Sequence, residues 1–111
     1  MPQVNKSKGF VQFMQTLADN NEGTETALTS IDLTTGKSGI GRLVFGDGLG
    51  YADFIFTTLG VVTLIVNSAN VFTTLQTGTS HVIIKDNGSN VRITNELGSS
   101  TVFNLIIQYT N

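Results

Sequence analysis

One histidine, eight carboxylates and no cysteine are all that this 111-residue chain offers to acid–base or nucleophilic chemistry. Catalysis needs such groups gathered in one place with tuned pKa values. Without cysteine there is no thiolate and no Cys–His pair, and a lone histidine cannot build a His-rich zinc site. A Ser–His–Asp arrangement would have to recruit His81 and a serine that sits in no nucleophile-elbow motif. His81 follows the turn-forming run Thr77-Gly78-Thr79-Ser80 and opens an apolar stretch, a place where a histidine makes local hydrogen bonds at a strand end. The chain therefore reads as non-enzymatic, with no cofactor expected.

Among the carboxylates, Asp47 and Asp53 flank the run Gly46-Asp47-Gly48-Leu49-Gly50 and could converge on a calcium ion, yet neither falls in the D-x-[DN]-x-[DN]-G spacing. No metal site is assigned. The same glycines invite comparison with a phosphate cradle, but G-x-x-x-x-G-K-[ST] is absent and strands are expected on both sides; a tight hairpin with glycines at positive φ accounts for them. Asp53 has a plainer use in pairing with Arg42 or with a base from another subunit. Sugar recognition on a β module calls for an exposed aromatic beside amide and carboxylate groups. There is no tryptophan, and Tyr51, next to Gly50, is the better placed of two tyrosines. Tyr51, Asp53, Asn70, Asn87 and Asn90 are thus the candidate contacts for a ligand or partner, with a glycan as the ligand class.

The elements that must position these residues are strands. In HVIIKDNGSNVRITNELGSSTVFNLIIQYT, Val82 and Ile84 share one face, Val91 and Ile93 share one face of the next run, and Asp86-Asn87-Gly88-Ser89 supplies the turn. After Glu96-Leu97-Gly98-Ser99-Ser100, the residues Phe103, Leu105, Ile107 and Tyr109 alternate with polar or outward positions. Three consecutive antiparallel strands are predicted for this last third. Upstream, Ile40–Phe45, Tyr51–Thr58, Val61–Asn67 and Val71–Gln76 read as strands, with Ala52, Phe54 and Phe56 on one face. Thr24–Leu33 reads as a strand or a strand with a bulge. Phe10–Ala18 fits a strand or one short helix, because Phe10, Phe13, Met14 and Leu17 have helical spacing while Val11, Phe13 and Gln15 share a strand face.

The total is seven to nine short strands at a spacing of 8 to 12 residues, with Gly or Asn at nearly every junction. That spacing predicts an all-β fold: an antiparallel β-sandwich, jelly-roll-like in strand number. Residues 1–9 are polar and form an N-terminal arm; residues 10–111 form a single β-sandwich domain.

Composition narrows the partners. Hydrophobic residues make up 40% and charged residues only 13%, with 16 Thr and 10 Asn filling the polar positions. Such a low charge content suits a surface partly covered by neighbouring subunits, where every buried charge would need a partner. The strands over 51–67 are apolar on both faces, which fits one face in a core and the other against a second molecule. A net charge of -2 with scattered Lys and Arg excludes a phosphate-binding patch, so no nucleic acid is expected. No continuous apolar segment resembles a signal peptide or a membrane helix, and the chain reads as soluble with no membrane partner.

From Gly39 to Tyr109, and most of all in VTLIVNSANVF and VRITNELGSSTVFNLIIQY, the sequence resembles small β modules of phage virion proteins of the tail-fibre, head-fibre and decoration type. The resemblance covers about 70 residues. It implies a virion component that makes homo-oligomers, often trimers, and contacts other virion proteins, with no active site to carry over. A long repetitive shaft is missing, which favours a compact capsid- or tail-attached module over a whole fibre.

Overall fold

The computed structural model describes residues 10–20, 28–75 and 80–111. The predicted 1–9 arm, the first part of the Thr24–Leu33 strand and the end of the Val71–Gln76 strand lie outside them. The described residues form nine strands: β1 (Phe10–Leu17), β2 (Ser30–Asp32), β3 (Gly39–Phe45), β4 (Tyr51–Phe56), β5 (Val62–Asn67), β6 (Phe72–Thr73), β7 (His81–Asp86), β8 (Val91–Glu96) and β9 (Thr101–Tyr109). They build two sheets, ordered β1-β9-β3-β4-β5 and β2-β8-β7-β6. All pairings are antiparallel except β6 with β7. The fold is all-β.

The segment that fits either a helix or a strand is a strand. Eight residues make a marginal helix in isolation. As β1, the same residues pair with β9 along their whole length, from Phe10 opposite Gln108 to Leu17 opposite Thr101. Tertiary pairing settles what local periodicity leaves open.

One core lies between the sheets, and the alternation seen in the sequence decides who enters it. Leu43, Ala52, Phe54 and Leu105 point inward from the five-stranded sheet, while Val82, Ile84, Val91 and Ile93 point inward from the four-stranded one. Phe45 stacks on Phe72 with ring centroids 5.3 Å apart and meets Phe103 at 5.7 Å, joining the two layers at one end. Gly41 is an inward position on β3 where any side chain would overlap the Phe54 ring, so glycine is what lets that ring lie flat across the strand.

The last third departs from three successive paired strands. β7 and β8 form the expected hairpin, but β9 leaves β8 and enters the other sheet between β1 and β3. The switch is made at Asn95. Its side chain is fully buried; Nδ2 donates to the Leu17 carbonyl and the Ser99 carbonyl at 2.9 Å each, and Oδ1 accepts from the Leu97 N–H at 2.9 Å. Together with Gly98 at φ 103°, these bonds turn the chain away from the hairpin plane before β9 begins.

Turns gather at two opposite rims of the sheets. At one rim the Gly46 N–H donates to the Val102 carbonyl at 2.7 Å, and the Ser68 N–H to the Tyr51 carbonyl at 3.0 Å. At the other, the Gly36 N–H donates to the Ser89 carbonyl at 2.9 Å. There Gly60, at φ 84°, presses its backbone against Asn90.

Candidate functional site

The five residues singled out in the sequence separate into three places. Asn87 and Asn90 lie in the β7–β8 turn, closed by the Asn87 N–H donating to the Asn90 carbonyl at 2.8 Å. Asn70, at φ 56°, ends the β5–β6 turn at the opposite rim. Tyr51 and Asp53 sit on β4 and point outward from the five-stranded sheet. A strand of six residues separates the two rims by about 20 Å. Asn70 shares the rim of Tyr51, where the Ser68 N–H donates to the Tyr51 carbonyl, but Asn87 and Asn90 lie at the far rim, so the five residues do not converge on one small ligand.

Tyr51 and Asp53 do meet a common partner, and it is the one expected for Asp53. Arg42 stands directly opposite Asp53 in the β3–β4 ladder. Its Nε donates to Oδ1 at 2.6 Å and its Nη2 to Oδ2 at 2.8 Å, the two-pronged geometry that fits a guanidinium to a carboxylate. The guanidinium also lies over the Tyr51 ring, 4.9 Å from its centroid. The hydrogen bonds from Arg42 hold the Asp53 carboxyl below its ordinary range, and the same bonds raise Arg42. Asp47 is occupied elsewhere, accepting from the Leu49 N–H at 2.9 Å. The two carboxylates that flank the glycine-rich turn thus serve separate local bonds and do not face a shared point.

Around this fork the outward face of the five-stranded sheet exposes several large apolar side chains, interspersed with the uncharged Gln12, Thr16, Thr63, Asn104 and Gln108. Met14, Ile40 and Ile65 are 64%, 52% and 60% exposed, and Ile55 and Val102 are exposed as well. A shallow depression of about 410 Å³ lies in the middle, lined by Ile40, Arg42, Asp53, Ile65, Ile106 and Gln108. The sequence signals this face through the two-sided apolar character of β4 and β5, and the structure places the second side in the open.

Two further features escape sequence reasoning. A recess of about 630 Å³ at one rim is lined by Phe45, Asp47, Leu97, Thr101 and Val102, from the β3–β4 turn, the β8–β9 turn and the strand ends beside them. Nothing in the separate segments announces that they meet. Buried polar groups form the second feature: Glu96 is 2% exposed and accepts from the Asn20 amide at 2.9 Å, beside the fully buried Asn95. A signal for Asn95 did exist, since it continues the inward phase of Val91 and Ile93. His81 stands opposite Glu96 across the β7–β8 ladder, half-buried at the strand end.

Among the described residues no helix is long and apolar enough to cross a membrane. Nor does any group of three or more His, Cys, Asp or Glu side chains among them form a metal-holding cluster. Comparisons with protein-family models, curated proteins and solved structures give no match.

Proposed function

We propose that this chain is a non-enzymatic structural component of a phage particle, a capsid-decoration or tail- or fibre-attached module. It acts through self-assembly and through contacts with other virion proteins. Its two sheets are read as a sandwich of jelly-roll type, in which the early strands β1, β2 and β3 pair with the late strands β9 and β8. The observation that carries the reading is the cluster of large apolar side chains exposed on the five-stranded sheet, whose only charged groups among the described residues are the internally neutralised Arg42–Asp53 pair. A cluster of large exposed apolar side chains on one face of a small chain is the mark of a protein–protein surface. Virion location rests on the resemblance of VTLIVNSANVF and VRITNELGSSTVFNLIIQY to phage modules, and a soluble assembly component is the form that agrees with it.

The carbohydrate alternative lacks such support. Tyr51, which would be its platform, is capped by Arg42, and the asparagines stand at opposite rims.

Light scattering on the purified chain across a concentration series tests the assembly reading. The expected result is a mass of two or more copies of the 11.9 kDa chain in the micromolar range. A single-copy mass maintained to high micromolar concentration overturns it.

A further inference from the structure

The geometry points to a specific partner for the apolar face: a second copy of this chain, packed face to face on the outward side of the five-stranded sheet. This inference rests on the assembly reading above and adds which surface is used and what covers it.

Charge selects the occupant. Among the described residues, the only charged side chains on this face are Arg42 and Asp53, and they neutralise each other. An acidic or basic partner would find no opposite charge to steer it. A second identical face brings no net charge to repel and offers apolar side chains to meet apolar side chains. Uncharged polar side chains are interspersed on the face, Gln12 and Thr16 on β1, Thr63 on β5 and Asn104 and Gln108 on β9, and the amide oxygens of the last two are suited to the guanidinium N–H groups of Arg42 that Asp53 leaves unused. A bidentate pair already satisfied within one copy is the form of ion pair that tolerates covering best.

Area and shape agree with this choice. Five strands at about 4.8 Å spacing give a width of about 24 Å, and six residues at about 3.3 Å give a length of about 20 Å. The flat footprint is then about 500 Å² per copy, or about 1,000 Å² for a pair, which reaches the size of the smaller specific interfaces. The face also carries both halves of a self-complementary contact. Met14 and Ile65 stand out from it, and the depression of about 410 Å³ around the fork is recessed into it. Two sheets meeting this way lie about 10 Å apart with their strands within about 30° of alignment.

The sheet edge is the competing surface, and the chain disfavours it on the β5 side. The β4–β5 ladder shifts register between Asp53 and Phe54, a bulge that bends the edge strand away from straight pairing. Face-to-face contact predicts a two-fold pair, in contrast to the trimer that the phage resemblance implies.

The test is sedimentation velocity on the wild-type chain and on three variants, with circular dichroism to verify the strands. The wild type is expected at twice 11.9 kDa. Ile40→Lys, on a strand enclosed by two neighbours, is expected to weaken the pair by about 100-fold or more, because each copy would bury an unpaired ammonium. Ile40→Thr keeps the β-branched shape, preserves the fold should the lysine variant lose it, and is expected to weaken the pair by about tenfold. Leu59→Lys, at an exposed turn off this face, is expected to leave the mass unchanged. A wild-type oligomer with both Ile40 variants at wild-type affinity overturns the face assignment while the assembly reading stands; so does a wild-type mass of three copies. A wild-type chain that is a monomer at high micromolar concentration overturns both.

Discussion

Two arginine–aspartate forks face outward from opposite sides of the molecule. Arg42 holds Asp53 on the five-stranded sheet at 2.6 and 2.8 Å; Arg92 holds Asp32 on the four-stranded sheet at 2.7 and 2.9 Å. Each joins residues directly opposite in an antiparallel ladder. The chemistry is the same, and the neighbours are not. Around Arg42 stand exposed isoleucines. Around Arg92 the outward side is closed: Ile83 is 0% exposed although it lies outside the core cluster, and the buried hydroxyl of Thr94 bonds the Ser30 hydroxyl at 2.9 Å. A salt bridge therefore says little about the role of a surface. What distinguishes the two faces is whether the apolar side chains beside the fork are already covered.

The largest effect should come from the isoleucines themselves. Ile83→Ala is expected to cost about 3 kcal/mol, since a fully buried side chain leaves a cavity. Ile65→Ala is expected to change stability by less than about 0.5 kcal/mol, since an exposed side chain has little to lose. Urea melts at concentrations too low for self-association would measure both, and equal losses would erase the contrast between the faces.

A hydroxyl pair repeats the comparison at smaller scale. Thr94→Val removes a buried hydrogen bond and is expected to lower stability by about 1 kcal/mol. Thr63→Val, at an exposed position opposite Ile55, should leave the melt where it is. A Thr94 variant that melts with the wild type would show that the closed face owes nothing to its polar contacts.

The forks give the smallest effect, and they give it in acid. Hydrogen bonds from Arg92 hold Asp32 below its ordinary value of 3.8, with a further bond from Asn90, and hydrogen bonds from Arg42 lower Asp53 likewise. A carboxyl with a depressed folded-state pKa adds stability that is present above the unfolded value and is lost as pH falls through the folded one. Stability should therefore fall below pH of about 4, and Asp32→Asn and Asp53→Asn should each flatten that limb. Solvent screening keeps the Asp32 contribution under about 1 kcal/mol. Acid melts in low and high salt would reveal it, with high salt narrowing the difference between wild type and variant.

Much of the scaffold can be read from the chain because strand alternation is a local property. Val82 and Ile84, Val91 and Ile93, and Phe103 to Tyr109 fall on the faces their spacing predicts. Gly48, Gly60 and Gly88 take the positive φ that their turns require. The Asp53–Arg42 pairing is legible for a related reason: a short turn fixes the register of the strands on either side. Properties that depend on distant segments are not legible in this way. Alternation cannot tell that β9 joins β1 and β3, because its inward residues would serve either sheet. Nor can it tell that Asn70 and Asn87 lie at opposite rims, since both read as the same kind of turn. Each candidate contact is thus legible singly from its chemistry, while their separation is a matter of which sheet each strand enters.

The position of β9 also orders events in time. Residues 101–109 form the strand that separates β1 from β3, so until β9 has left the ribosome β1 lacks the strand it pairs with and β3 is paired on its β4 side alone. The β3–β4–β5 meander and the β7–β8 hairpin can form as they emerge, but the five-stranded sheet can close only afterwards. Until then β1 and β3 present unpaired edges. A growing chain of this design must wait with β1 open, and synthesis paused before residue 101 would leave it in its most aggregation-prone form.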